Sequence, residues 1–354
     1  MMKIVADENI PYVQSAFASL GEVTTLAGRN IKKADLIDCD ILLVRSVTQV
    51  NQQLLAGTSI RFVASATSGI NHIDLYYLKK HGIAFVHALG SNAASVAEYV
   101  MSAIAYWSLT TNKPLEQLSL GIIGCGQVGG RVKNLCHRFG IQTTLNDPPL
   151  AESDHQTTWS DLEDLLNCDV VTIHVPLTST GKHATTNLIN QQHIEQLKPG
   201  TLLINTARGE VVDEKALLAR QIKHQDLSLV MDVWHNEPNI NIKMLAHTLI
   251  GTPHIAGHSF DGKVRGTEMI YTACCDFFNQ AKKWSATAVL SKVHATSTSR
   301  NQDISLSILK AYDIRQDNNR LKQLLNKSEL TNGTSFDDLR KTYPTRREWS
   351  QTTL

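Results

Sequence analysis

"LSLGIIGCGQVGGRV", Leu118–Val132, runs from an apolar stretch through a cluster of glycines into a segment with helical spacing. Gly124, Gly126 and Gly129 stand in the G-x-G-x-x-G arrangement. That spacing answers a physical demand: a tight turn after a strand, a backbone able to approach a pyrophosphate, and amide N–H groups of a first helical turn aimed at it. Gly126 would give the close approach, and Gln127 and Val128 most of the donors. Taken alone, three glycines fit a ligand-free turn equally well. The next strand adds weight. "IQTTL" ends at Asn146 and Asp147, so a carboxylate arrives 18 residues after Gly129, close to the roughly 20 expected for a group that holds a ribose. Asp147 would accept from both ribose hydroxyls and repel a 2′-phosphate, and prolines rather than arginine follow it. NAD is therefore expected over NADP.

Outward from this loop, strand-like and helix-like pieces alternate in both directions. Before it stand "KIVADE", "DILLVRS", "RFVASATSG" and "IAFVHA", separated by "YVQSAFASLG", "NQQLLAG" and "DLYYLKKHG". After it come "VVTIHV", "TLLINTA", "LSLVMDV" and "HTLIG", with helix-like pieces such as "SDLEDLLNC" and "DEKALLARQIKH" between them. Such alternation predicts α/β architecture with parallel sheets covered on both faces. Between the two series, "AASVAEYVMSAIAYWSLTT" repeats Val96, Val100, Ala103, Ile104 and Trp107 at helical spacing, a candidate connector between domains. "FDGKVRGTEMIYTACCDFFNQAKKW" reads as a helix returning the chain to the first domain. "SATAVLSKVHATSTSRNQD" then reads as a linker. The last 50 or so residues are too few and too polar for a core of their own and need a surface to pack on.

Composition narrows the function classes. At 354 residues, 42% hydrophobic and 19% charged, the chain is expected to hold two or three globular domains. A net charge of +1 supplies no field for nucleic acid or an anionic membrane, so neither partner is expected. No apolar run approaches the roughly 20 residues of a membrane span, and the start lacks a signal-peptide pattern; a cytoplasmic location is expected. The six cysteines, Cys39, Cys125, Cys136, Cys168, Cys274 and Cys275, form no C-x-x-C pair and read as free thiols.

Ligands of open α/β sheets sit outside the carboxyl ends of the strands. There the second series delivers Val175, then Thr206, Ala207 and Arg208, then Asp232, and finally His254, with Glu237 in the loop "WHNEPN". Beside a dinucleotide, an arginine, two carboxylates and a histidine make a hydride-transfer set. The histidine moves a hydroxyl proton, a carboxylate such as Glu237 orients its ring, and the arginine forks to a substrate carboxylate. "GTPHIAGHS" also allows a competing reading, His254 and His258 as a metal pair at helical i, i+4 spacing. Pro253 and Gly257 argue for a strand ending in a loop instead, so no metal is expected.

"GIIGCGQVGGRV", "LINTARGEVVDEKAL", "DVWHNEP" and "TPHIAGHS" match, in order, segments of the D-2-hydroxyacid dehydrogenases, which the chain resembles over roughly residues 1 to 285. The resemblance implies two doubly wound parallel-sheet domains: a Rossmann NAD domain at 96–256, inserted in a flavodoxin-like substrate domain formed by 1–95 and 257–285. Arg208, Glu237 and His254 would be catalytic. NAD would be held by Gly126, Gln127, Val128, Asp147, Val175, Thr206, Ala207, Arg208, Asp232 and Gly257, with Asp232 near the nicotinamide amide. Ser46, Thr67 and His258 would meet the substrate.

"ADENIPY", "LLVRSVTQVN", "ATSGINHID" and the tail "FDDLRKTYPTRREWS" look like one branch of that family. It implies NAD-dependent oxidation of 4-phospho-D-erythronate at C2, giving 3-hydroxy-2-oxo-4-phosphooxybutanoate on the route to pyridoxal 5′-phosphate. It also implies a homodimer, with 286–354 as a small C-terminal dimerisation segment. Two positions depart from the pattern: the family commonly has tyrosine where His258 stands and threonine where Val175 stands. The substrate's phosphate would be met by Arg45, beside Ser46, or by Arg346 and Arg347 of the tail. Competing functions are another 2-hydroxy acid such as 3-phosphoglycerate or glycerate, and an NAD-sensing corepressor of the same fold.

Overall fold

Short β-branched runs, each followed by a helix-forming segment, can pair only in parallel, because the helix carries the chain back along the sheet. The computed structural model describes residues 1–290, 303–326 and 334–349. They fall into two compact units: Met1–Asn92 with His258–His294 and Arg346–Glu348, and Ala93–Gly257 with Ala295–Thr345 and Trp349–Leu354. No helix among the described residues is long and apolar enough to cross a membrane.

The first unit holds β1 (Met2–Asp7), β2 (Gly21–Leu26), β3 (Ile41–Val44), β4 (Phe62–Ser65) and β5 (Ala84–His87). All neighbours are parallel, in the order β2-β1-β3-β4-β5, the flavodoxin-like winding. β3 and β4 are buried along their whole length, as central strands covered on both faces must be. The helix Phe260–Phe277 returns to this unit and buries Ile270, Tyr271, Cys274 and Cys275 against Ile4, Phe17 and Phe62. β2 is the strand that the apolar runs did not announce. It lies at the sheet edge, with only Gly21 fully buried, so its side chains carry little hydrophobic signal.

The second unit holds β6 (Ser119–Ile123), β7 (Gln142–Asn146), β8 (Val170–Ile173), β9 (Leu202–Asn205), β10 (Ser228–Met231) and β11 (Ile250–Gly251). They are parallel in the order β11-β10-β9-β8-β6-β7. The direction of winding reverses between β6 and β8, the crevice where doubly wound sheets take their ligands. The common dinucleotide sheet has a third strand outside β7. Here Gln156–Ser160 occupies that side irregularly, with the Ser160 N–H donating to the Leu145 carbonyl at 2.9 Å and Asn146 Nδ2 to the Ser160 carbonyl at 2.8 Å. The helix Ala93–Thr111 starts at the boundary of the units and is a core element of the second, burying Val96, Val100, Ile104 and Trp107.

The C-terminal stretch forms no unit of its own. Its helices Ile304–Ala311, Ile314–Asn326 and Thr334–Lys341 pack on the second unit, burying Ile308, Leu309 and Ile314 in one of its cores and Leu321 and Phe336 in the other. Each fully buried side chain of this size contributes on the order of 2 kcal/mol, which fixes a segment too polar to fold alone. Arg346–Glu348 belongs with the first unit. The linker expected at 285–303 starts with a helical turn, Thr287–Leu290, and its residues 291–302 lie outside those described.

Candidate active site

In the glycine loop, β6 ends at Ile123 and the helix Gln127–Arg138 begins after Gly126. Gly129 tolerates no side chain, since a Cβ there would collide with the Gly124 carbonyl, whereas one at Gly126 would meet nothing within 4 Å. The loop is thus closed on its inner side and open where a pyrophosphate would approach. The first-turn amides, including those of Gln127 and Val128, have no intrahelical acceptor and are available to an anion. Asp147, just past β7, accepts from the Cys125 N–H through Oδ2 at 2.7 Å and from the Leu150 N–H through Oδ1 at 3.1 Å. The carboxylate expected at the ribose is therefore tied to the glycine loop itself. Cys125 is no reactive thiol: burial, with the charge of Asp147 beside it, pushes its pKa up to about 12. These features fit a dinucleotide.

The residues after β10 and β11 form the second part of the site. His254 Nδ1 lies 2.7 Å from Glu237 Oε2, and Glu237 Oε1 accepts the Trp234 N–H at 2.9 Å. Burial pushes the Glu237 pKa up, but the charge and hydrogen bond of His254, with the Trp234 N–H, outweigh it and leave the carboxyl below its ordinary range. Trp234 is itself buried and donates its indole N–H to the Thr252 carbonyl at 2.9 Å.

Asp232 holds the loop that carries His254. Its Oδ1 accepts from Thr252 Oγ1 and the Ile255 N–H, both at 2.7 Å, and its Oδ2 from the Ala256 N–H at 3.0 Å. Its backbone carbonyl takes the His254 N–H at 2.7 Å. Held on both sides, His254 stands at a φ of 56°, a left-handed conformation that a histidine adopts only when its surroundings impose it. The stretch from His254 to His258 is not helical, so the ring arrangement that an i, i+4 metal pair requires is missing.

Arg208 follows β9 and is half-buried. Asn205 fixes its backbone, donating from Nδ2 to the Arg208 carbonyl at 2.9 Å while accepting the Ala207 N–H at 3.0 Å. Gly209 lies directly on the backbone of Trp234, where no Cβ fits, which brings Arg208 beside the element that orients Glu237. The guanidinium spends one N–H on the Ala207 carbonyl, at 2.6 Å, and makes no ion pair among the described residues. Thr206 Oγ1 lies 3.2 Å from His174 Nδ1, and Thr172 Oγ1 lies 3.0 Å from His174 Nε2. Burial lowers the His174 pKa to about 3, so the ring is neutral, with one donating and one accepting nitrogen. Val175 packs its side chain toward Gly124, and Gly257 is the last residue of the unit.

In the first unit, Ser46 is exposed just beyond β3 and His258 stands immediately before the helix Phe260–Phe277, whose N-cap is Ser259. Thr67 Oγ1 lies 2.8 Å from Ser65 Oγ and donates to the Gly69 carbonyl at 3.1 Å; Ser65 Oγ is in turn 3.1 Å from His72 Nε2. Arg347, a candidate for the substrate's phosphate, is instead paired with Asp261 through two bonds of 2.9 and 3.0 Å. Asn205, Thr252, Trp234, His174 and His72 escape sequence reasoning. The first four each bond a functional residue, and His72 reaches Thr67 only through Ser65; His174 and Asn205, polar residues closing apolar runs before Val175 and Thr206, left a local signal.

Comparison with known proteins places this geometry. A family model described as D-isomer specific 2-hydroxyacid dehydrogenase, NAD binding domain, matches residues 77–256, and one described as a domain of unknown function matches residues 286–354. An erythronate-4-phosphate dehydrogenase from Hahella chejuensis is 42% identical over 98% of this chain and 92% of its own length. One of the same name from Proteus mirabilis is 40% identical over 99% of this chain and 93% of its own. Among solved structures, 3-phosphoglycerate dehydrogenase of Entamoeba histolytica with NAD+ is 26% identical, with a TM-score of 0.65 over 80% of this chain and 98% of that one. D-lactate dehydrogenase of Aquifex aeolicus with NAD and lactic acid is also 26% identical, with a TM-score of 0.62 over 78% and 95%. An NAD-binding sheet with a histidine–carboxylate pair at its edge, and an arginine without an ion pair among the described residues, agrees with these likenesses, and the chain belongs to the D-isomer-specific 2-hydroxyacid dehydrogenases, enzymes that use NAD.

Proposed function

We propose that this enzyme oxidises 4-phospho-D-erythronate at C2 to 3-hydroxy-2-oxo-4-phosphooxybutanoate, on the route to pyridoxal 5′-phosphate. The chemistry rests on the 2.7 Å contact between His254 and Glu237, beside Arg208, which makes no ion pair among the described residues. The choice of substrate rests on relatives of that name, matched along 98% of the chain. NAD+, when bound, supplies the hydride acceptor. With Nδ1 committed to Glu237, His254 takes the C2 hydroxyl proton at Nε2, and the ionised Glu237 offsets the positive charge that develops on the ring. Arg208 grips the substrate carboxylate with its free N–H groups and draws charge toward the C2 oxygen. Ser46, Thr67 and His258 are assigned to the substrate, and Asp147 with the glycine loop to the adenosine half of the cofactor.

NADH formation measured with 4-phospho-D-erythronate, 3-phosphoglycerate and glycerate tests the assignment. We expect kcat/KM for the first to exceed the others by about 100-fold or more, since one well-met polar group discriminates by that order. Equal or better turnover of 3-phosphoglycerate would overturn it. We also assign the chain to a cytoplasmic homodimer. Six free cysteines suit a reducing compartment, and Ile304 and Leu306 stand 42% and 56% exposed on a tail helix whose other face is buried. A monomeric mass by light scattering at micromolar concentration would refute the dimer.

A further inference from the structure

The first unit brings two cations to one point of its sheet edge, and neither has an ion-pair partner among the described residues. Arg45 leaves β3 where the Ala66 N–H donates to the Val44 carbonyl at 2.9 Å, so Arg45 and Ala66 emerge side by side from adjacent strands. Against Ala66 rests the helix Phe260–Phe277, at Gly266, where a Cβ would lie 3.1 Å from the Ala66 carbonyl oxygen. Lys263 stands three residues earlier on the same helix face, one turn nearer the strand ends. Ser46 and Thr67 flank the same place, each one residue beyond Arg45 or Ala66.

Asp261 and Glu348, on and beside the same helix, are engaged elsewhere. Asp261 accepts both bonds from Arg347 and the Glu348 N–H at 2.9 Å. Glu348 is taken by Arg265 at 2.6 and 2.7 Å and by Ser259 at 2.8 Å. Asp7, at the end of β1, turns Oδ1 to Asn9, and its buried Oδ2, toward Gly28, accepts no hydrogen bond among the described residues. Among the described residues neither Arg45 nor Lys263 makes an ion pair. Partial burial, reinforced by the charge of Arg45, lowers the Lys263 pKa, and no carboxylate counters it. Two like charges held together at the carboxyl ends of parallel strands repel unless an anion comes between them.

We propose that Arg45 and Lys263 form a two-sided clamp for the phosphate of the substrate, the guanidinium forking to two of its oxygens and the ammonium reaching a third. This rests on the reading of the substrate as a phosphorylated hydroxy acid. A phosphate carries a charge near −2 at neutral pH and three acceptor oxygens, which suits one fork and one point charge. Ser46 and Thr67 then lie toward the carbon chain.

The test compares 4-phospho-D-erythronate with unphosphorylated D-erythronate at saturating NAD. Lys263→Ala is expected to lower kcat/KM for the phosphorylated substrate by about 10- to 100-fold, the worth of one charge-assisted bond, through KM rather than kcat. Turnover of D-erythronate should stay within twofold, and Lys263→Arg should recover most of the loss. An equal fall for both substrates, or none for either, overturns the clamp. Failure of the substrate reading shows differently, as poor turnover of 4-phospho-D-erythronate by the unaltered enzyme. In that case inorganic phosphate decides: it should raise the melting temperature of the unaltered protein but not of Lys263→Ala or Arg45→Gln, and no rise in the unaltered protein rejects the site.

Discussion

The carboxyl edges of the two sheets are built on opposite plans. At the edge of the second unit nearly every polar group is spoken for: three donors converge on Asp232, Glu237 is shared between His254 and the Trp234 N–H, and Asn205 fixes the turn before Arg208. At the edge of the first unit Arg45 and Lys263 stand close enough to feel each other's charge and make no ion pair among the described residues, and Ser46 is exposed. A site that performs one fixed proton transfer gains from donors and acceptors set in advance, because nothing has to reorganise during the reaction. A site that recognises part of a substrate must leave valences open for it. The first plan is rigid before any ligand arrives; the second is completed by the ligand.

The largest effect should come from the rigid edge. His254→Gln keeps a ring-sized polar group but removes the proton carrier, and kcat should fall by about 10²- to 10⁴-fold. NADH affinity, followed by its fluorescence, should stay within about threefold, because the glycine loop and Asp147 are untouched. If more than a tenth of the activity survives, the histidine–glutamate pair is not the proton path, and the contrast between the two edges loses its chemical meaning.

How much of this was readable beforehand differs between the edges for the same reason. Strands buried on both faces are apolar runs, so β3, β4, β8 and β9 stand out, and residues a few steps beyond a strand, Arg208 after β9 and His254 after β11, are found by counting. β2 is half-exposed and leaves no such run. The tail reads as polar because the residues that anchor it, Ile308, Ile314, Leu321 and Phe336, are spread over nearly thirty positions. Lys263 in "FDGKVRG" looks like any surface lysine. Its meaning appears only when Gly266 seats the helix on Ala66, a contact between segments 200 residues apart in sequence.

A second test compares one histidine of lowered pKa from each unit. Burial lowers the pKa of His174 to about 3 and that of His72 to about 4. A histidine held neutral in the fold takes up its proton more readily when unfolded, so its effect is absent above pH 6.5 and stability is lost as pH falls from there toward the folded pKa. At pH 5 each histidine should cost about 2 kcal/mol relative to pH 7.5. In urea unfolding, His174→Gln and His72→Gln should each flatten the dependence on pH by about that amount. An unchanged slope would mean that the ring already titrates in the folded state, and that the polar contacts to Thr206 or Ser65 do not require it neutral.

The smallest effect separates a structural cation from a recognising one. Arg347 lies on the Phe260 ring at 5.1 Å and pairs with Asp261, their side chains 33% and 10% exposed. Solvent reaches the arginine, so the pair is worth less than a buried one, but its loss leaves a mostly buried carboxylate with fewer donors. Arg347→Ala should therefore cost about 1–2 kcal/mol in unfolding and leave KM for 4-phospho-D-erythronate within twofold. Lys263→Ala should do the reverse, since an unpaired cation beside another destabilises the free protein slightly while serving the ligand. A tenfold rise in KM for Arg347→Ala, with no loss of stability, would exchange these roles. The phosphate would then be read by the tail, and the open valences at Arg45 and Lys263 would need another anion to explain them.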